Sequence, residues 1–127
     1  MSLDDPHAIE TYKSLISIST EAFKALQYLN GGAVIALLSY FANKTPIAPK
    51  LLSTVTYSLS YFTFGLLTGT LVYASSYMTQ FALHNENKGL KFRWGKHQTW
   101  LFISLFLCIS SIVFFGLGAF EFIGSLS

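Results

Sequence analysis

The sequence has few charged residues, and long stretches of it have none. Asp, Glu, Lys and Arg make up 11% of the chain, and hydrophobic residues make up 52%. Soluble domains contain about 25% charged residues. No Asp, Glu, Lys, Arg or His lies in residues 25–43, 51–83 or 98–120. So short a chain has too few polar side chains to cover a water-exposed surface, which disfavours the alternative of a small soluble all-α domain.

The three uncharged stretches are long enough to cross a membrane. A helix of about 20 residues spans the roughly 30 Å hydrocarbon core of a bilayer. We therefore predict an all-α membrane protein with three transmembrane helices, over about residues 25–43, 54–80 and 98–120. An amphipathic helical arm, residues 1–24, precedes them, and residues 123–127 form a short tail.

The residues that catalysis and metal binding require are also scarce. The single cysteine, Cys108, excludes an internal disulfide, and His7, His84 and His97 lack the spacing of zinc ligands. No carboxylate lies within a predicted span, which disfavours a proton-coupled transporter. The sequence contains no P-loop, GxSxG or HExxH motif. We therefore expect no enzyme activity, no metal, no cofactor and no nucleic-acid partner.

Proline is confined to positions 6, 46 and 49. Asp5-Pro6 is typical of a helix start, and the absence of proline up to Asn43 allows one helix about 57 Å long. The arm's apolar stripe comprises Ile9, Tyr12, Ile16, Phe23 and Leu26. The alternative is a break at Asn30-Gly31-Gly32 that leaves the arm flat in the interface. The sequence leaves both open.

The basic residues predict the orientation. Lys13 and Lys24 in the arm share a side with the 84–97 loop, whereas the 44–50 loop on the other side holds two lysines. By the positive-inside rule the N-terminus is cytoplasmic and the C-terminus periplasmic, in a bacterial inner membrane. The basic residues of the 84–97 loop either only set this topology or also contact anionic lipid or a phosphate-bearing ligand. They are Lys88, Lys91, Arg93 and Lys96.

Small residues recur within each predicted span. Such residues let helix backbones approach closely in lipid, where hydrophobic association is weak. They predict helix packing and a homo-oligomer, at Gly31, Gly32, Ala36, Gly65, Gly69, Gly116 and Gly118. The Asn30 amide should avoid acyl chains, so the Asn30-Gly31-Gly32 tripeptide packs against a helix, forms a hinge or lines a pore.

The second span carries a stripe of hydroxyl side chains. Its members are Ser53, Thr56, Ser60, Thr63 and Thr70. Hydroxyls in membrane helices bond to the carbonyl four residues earlier, so one interpretation is bonding within or between helices. The other is that these residues contact water in a path lined by several copies.

Two segments resemble those of known small membrane proteins. Residues 12–41, YKSLISISTEAFKALQYLNGGAVIALLSYF, contain an Asn-Gly-Gly-Ala motif at Asn30–Ala33, and the pattern W…FFGLGAF runs from Trp100 to Phe120. In layout the chain is similar to phage holins and to the small membrane effectors of bacterial anti-phage systems. The resemblance implies oligomers that permeabilise the inner membrane.

Two functional hypotheses follow. The first is a homo-oligomeric inner-membrane pore or membrane-perturbing effector, in anti-phage defence and triggered by a cytoplasmic protein or nucleotide-type ligand. The second is a non-conducting membrane anchor or regulatory subunit of a larger complex. Three spans are too few to enclose an aqueous path alone, so the first hypothesis requires several copies.

Overall fold

The computed structural model describes residues 6–43, 48–90 and 95–124, and within them the protein is all-α. The helices are α1 (Pro6–Ala42), α2 (Pro49–Asn87) and α3 (His97–Gly124). Two of the helices in the described residues are long and apolar enough to cross a membrane, α1 over Glu10–Ala42 and α3 over its full length. Ser, Thr and Tyr lower the mean hydropathy of α2, so its crossing stays a prediction.

α1 continues without a break through Asn30-Gly31-Gly32. Gly31 lies against α2, where a Cβ atom would be 3.6 Å from the Leu66 side chain. Packing against a neighbouring helix outweighs the low helix propensity of the two glycines. The arm also lies along α2, because the Tyr12 hydroxyl donates a hydrogen bond to Gln80 Oε1 and the Phe23 ring meets Tyr73 edge-on at 5.6 Å.

The ends of α2 follow from local backbone chemistry. Pro49 begins the helix after Ala48, which has an extended backbone. At the other end the backbone N–H groups of Gly89 and Leu90 donate to the carbonyls of Glu86 and Asn85, the pattern of a Schellman motif. Gly89 has φ +70°, a left-handed conformation that glycine adopts without steric cost. The chain then turns back, and α3 runs antiparallel to α2.

α2 lies at the centre and buries one stripe between its two neighbours. The stripe has 3–4 spacing and consists mainly of small residues, which are Val55, Ser58, Phe62, Gly65, Gly69, Val72, Ser75, Thr79 and Ala82. The buried residues of α3 are Ser104, Ser111 and Gly118, which are spaced seven residues apart. The contact of α2 with α3 is the most extensive, and α1 packs mainly on α2. Small residues on both sides bring the backbones close together.

Candidate functional site

Asn30, Gly65 and Ser111 meet where the three helices come together, and we call this group the polar junction. Asn30 and Ser111 are fully buried. The Asn30 amide nitrogen donates to the Leu26 carbonyl at 3.1 Å and to Ser111 Oγ at 3.2 Å. Ser111 Oγ in turn donates to the Gly65 carbonyl at 2.8 Å. One hydrogen-bonded chain therefore joins all three helices.

Glycine at position 65 makes this arrangement possible. A Cβ atom there would lie 2.6 Å from Asn30 Cγ, well inside van der Waals contact. One turn further along α2, Gly69 faces Gln27, whose amide nitrogen donates to Thr70 Oγ1 at 3.0 Å. The predicted GxxxG pair thus lies inside a single copy, against polar side chains of α1.

The polar junction is incompletely satisfied. Asn30 Oδ1 and Ser58 Oγ are buried and have no hydrogen-bond partner among the described residues. An amide oxygen that faces another helix can remain without a hydrogen-bond partner, whereas one that faces water always has a water molecule available as a partner. Of the three sequence hypotheses for the tripeptide, helix packing fits the burial of Asn30 within one copy.

The other predicted packing residues divide into two groups. Gly118 lies against α2, where a Cβ atom would be 2.9 Å from the Phe62 ring. Gly32 and Gly116 have open space, with no atom of the described residues within 4 Å of a built Cβ, and Ala36 is exposed. Any packing role for these three requires a surface outside this chain.

The hydroxyl stripe of α2 points outward. Thr56, Ser60, Thr63 and Thr70 are exposed, and each donates to the carbonyl four residues earlier at 2.8–2.9 Å. The structure therefore has the intrahelical bonding that one interpretation predicted. Each hydroxyl oxygen keeps its capacity to accept a hydrogen bond from the outside. Contact of this stripe with water stays a prediction.

α1 carries a second polar surface, on the side turned away from α2 and α3. It has 3–4 spacing and every member is exposed; its residues are Glu10, Lys13, Ser17, Glu21, Lys24 and Tyr28. We call it the outer stripe. Lys24 Nζ donates to Glu21 Oε1 at 2.8 Å within it. The exposed residues of α3 are instead apolar, such as Phe102, Phe106 and Phe120.

A cavity of about 510 Å³ lies between the arm and the other two helices, beside the direct contacts of the arm with α2. Tyr12, Ile16 and Phe23 line it from α1, and Leu105 and Cys108 from α3. Three residues of the arm's apolar stripe, Tyr12, Ile16 and Phe23, therefore face this space. The arm is packed less closely than the polar junction.

The basic loop is described only in part. Lys88 and Lys96 are exposed, while Lys91 and Arg93 lie outside the described residues. Between the two helices, Glu86 accepts a hydrogen bond from the His97 backbone N–H at 2.9 Å and contacts His97 Nδ1. These contacts hold the pKa of the Glu86 carboxyl below its usual value, the backbone bond being the largest cause.

The lowered pKa of Glu86 predicts an acid-sensitive connection between α2 and α3. A carboxyl group whose folded-state pKa is depressed stabilises the fold above its unfolded pKa and loses that effect as pH falls through its folded value. We expect the His97 amide to lose protection against hydrogen exchange below about pH 4.5, the ordinary carboxyl value, after correction for the intrinsic exchange rate. Glu86→Gln keeps an acceptor oxygen but cannot titrate, so it should show no such step. A step of the same size in both proteins contradicts the prediction.

Sequence reasoning missed Ser111, Gln27 and Ser75. Ser75 Oγ accepts a hydrogen bond from Ser104 Oγ at 2.8 Å, a second polar contact between α2 and α3. The signal was the exact seven-residue spacing of Ser104, Ser111 and Gly118, which places three small residues on one face of α3. Gln27 carries no comparable signal, because a glutamine near the end of an apolar run is typical of an interfacial position.

The chemistry of the described residues is that of helix packing and polar surfaces. Among them, no three His, Cys, Asp or Glu side chains come close enough to hold a metal ion. Comparison of this chain with family models, curated proteins and solved structures finds no match.

Proposed function

We propose that this protein spans a bacterial inner membrane three times and assembles into homo-oligomers that form a pore or otherwise perturb the membrane. Two of its helices meet the length and hydropathy of a membrane span. α2 lies between them and carries no charged residue from 51 to 83. The N-terminus is cytoplasmic and the C-terminus periplasmic. A role in anti-phage defence, with a cytoplasmic protein or nucleotide-type trigger, belongs to the proposal through the resemblance.

The observation that carries the proposal is the uneven polarity of the outer surface. α3 exposes mainly large apolar side chains, whereas α1 and α2 expose polar stripes next to large apolar side chains such as Ile35 and Leu67. The hydrogen bond from Gln27 to Thr70 joins the two polar surfaces at their edge. A pore subunit typically has an apolar side that faces lipid and a polar side that faces the interior of the assembly. In the oligomer, α3 faces lipid and the hydroxyl stripe of α2 faces the axis.

Removal of hydroxyls from α2 tests this arrangement. In lipid vesicles loaded with a self-quenched dye we expect the wild-type protein to cause leakage that rises more steeply than linearly with protein density, because several copies are needed. The double variant Ser60→Ala/Thr63→Val removes two hydroxyls from the exposed side of α2, and we expect it to leak several-fold more slowly.

Ser110→Ala is the matched control, because Ser110 makes the same bond to a carbonyl four residues earlier but lies on α3. Equal slowing by both variants would place the path elsewhere. If wild-type protein inserts in the vesicles and releases no dye at any density, the pore proposal fails and the membrane-anchor hypothesis replaces it.

A further inference from the structure

We propose that the outer stripe of α1 is the surface through which copies of this chain dock on one another, with Glu21 and Lys24 of one copy facing the same pair on the next. The inference rests on the membrane location in the proposed function. The partner that docks on the outer stripe is a second copy of this chain, as the depth, the charge pattern and the shape of the stripe indicate.

The first reason is the depth of the Glu21–Lys24 pair. Phe23, between them, meets Tyr73 edge-on, and Ser75 nearby on α2 is hydrogen-bonded to Ser104 of α3. The pair therefore lies near the level of Ser104. That level is about 9 Å inside the charge-free run that begins at residue 98, at 1.5 Å per residue. α3 has the highest mean hydropathy of the candidate spans, 2.4 against 1.3 for α1, and so sets the position of the membrane.

At that depth a charged surface needs polar surroundings. The Lys24 and Glu21 side chains are 47% and 69% exposed, and the ion pair that they form lies within α1. Ionisable side chains within the hydrocarbon layer face the interior of an assembly or a water-filled space rather than acyl chains. Pairing within one helix lowers the cost but leaves about half of the Lys24 side chain and most of the Glu21 side chain uncovered.

The charge pattern makes the surface complementary to itself. Residues 10–15 read ETYKSL and residues 21–26 read EAFKAL, an eleven-residue repeat. Eleven residues are almost three turns, so both repeats present the same face. In each repeat the aromatic residue contacts α2, Tyr12 at Gln80 and Phe23 at Tyr73, and the acid and base lie outward. A face that alternates the two signs attracts an identical face and disfavours partners of a single sign.

The shape of α1 beyond the charges allows close approach. Gly32 and Ala36 continue the outward side, and the space at Gly32 is open to 4 Å among the described residues. Within the chain, Gly65, Gly69 and Gly118 already lie against side chains of other helices. Gly32 and Ala36 are therefore available for a neighbouring copy, and small residues four apart permit backbone contact.

Disulfide trapping in vesicles tests the surface. In a Cys108→Ser background, Ser17→Cys places a thiol on the outer stripe, and Phe106→Cys places one on the apolar side of α3, where Phe106 is 70% exposed. Under a mild oxidant we expect disulfide-linked dimers from Ser17→Cys and about tenfold less from Phe106→Cys. Absence of the Ser17→Cys dimer, or more dimer from Phe106→Cys, overturns the proposal.

Charge reversal in the Ser17→Cys protein tests the pair itself. Glu21→Lys leaves lysines facing lysines, so we expect dimer yield at low protein density to fall by about tenfold, from a repulsion of roughly 1.4 kcal/mol. Glu21→Lys/Lys24→Glu restores both signs and should restore the yield. If the double reversal stays as weak as the single one, the pair does not join copies.

The two proposals fail separately in these vesicles. Trapped dimers without dye release would contradict the pore proposal and support the docking surface. Dye release without Ser17→Cys dimers would support the pore proposal and contradict the docking surface.

Discussion

Gly65→Ala should destabilise the protein by about 1–3 kcal/mol, the cost of forcing an extra methyl group into a packed core. The added Cβ atom would lie 2.6 Å from Asn30 Cγ. Asn30 has little freedom to move, because it is fully buried and its amide nitrogen bonds to Leu26 and Ser111. We expect α1 to separate from α2 at a lower temperature, followed as a drop in the melting temperature in mild detergent.

Gly116→Ala is the matched control, because the added Cβ atom meets no atom of the described residues within 4 Å. In a helix, alanine is favoured over glycine by about 1 kcal/mol, so this control should be neutral or stabilising. The same substitution therefore has opposite signs at two glycines. Gly65→Ala/Asn30→Ala should recover part of the loss, since removing the Asn30 side chain relieves the clash. Equal stability of Gly65→Ala and wild type would contradict the contact.

The helices were predictable from the sequence, and their lengths less so. The pattern of charges predicted an all-α chain with three helices, and this is confirmed for the described residues. α1 is described from Pro6, and Asp5, its predicted N-cap, lies outside the described residues. α2 was predicted as a span of about 54–80 but the helix runs from Pro49 to Asn87. Its end depends on the left-handed Gly89, which a search for apolar residues cannot detect.

The polar junction could be predicted only in outline. The small residues indicated which faces could pack, but every span carries several, and spacing does not say which meet. Gly65 packs within the chain whereas Gly32 remains open, although both lie in similar small-residue patterns. The difference comes from the antiparallel alignment of α1 and α2, which brings Asn30 opposite Gly65. Such pairing between distant segments is a property of the folded chain.

The two hydroxyl-bearing patterns show why composition alone misleads about polarity. Thr56 and Thr63 lie on the exposed side of α2, yet their hydroxyl hydrogens are used within the helix. Ser104 and Ser111, within the most apolar helix, are buried and join α3 to α2. The serines that join α3 to α2 therefore lie in an apolar stretch of sequence, where composition alone does not indicate their role.

Asn30→Asp should have the largest effect of any substitution considered for this chain. The change keeps the shape of the side chain and replaces the amide nitrogen with an oxygen. That oxygen would face the Leu26 carbonyl at the position from which the nitrogen now donates at 3.1 Å. The Ser111 hydroxyl hydrogen is already given to the Gly65 carbonyl. A carboxylate here would be buried and unpaired, and leaving a buried charge without a partner costs about 3–5 kcal/mol.

Asn30→Asp also separates the two roles that the sequence left open for this residue. If Asn30 packs three helices together, the variant loses the docked α1 near neutral pH, seen as protease cleavage between α1 and α2 and as a lower melting temperature. Asn43→Asp is the control, because Asn43 is exposed and its amide nitrogen donates to the Ser39 carbonyl of α1. If Asn30 instead lines water in the assembled protein, the carboxylate is hydrated and the fold survives. Cation leakage through vesicles would then rise. Because Asn30 is fully buried within one copy, we expect the loss of α1 docking, with dye release falling in parallel.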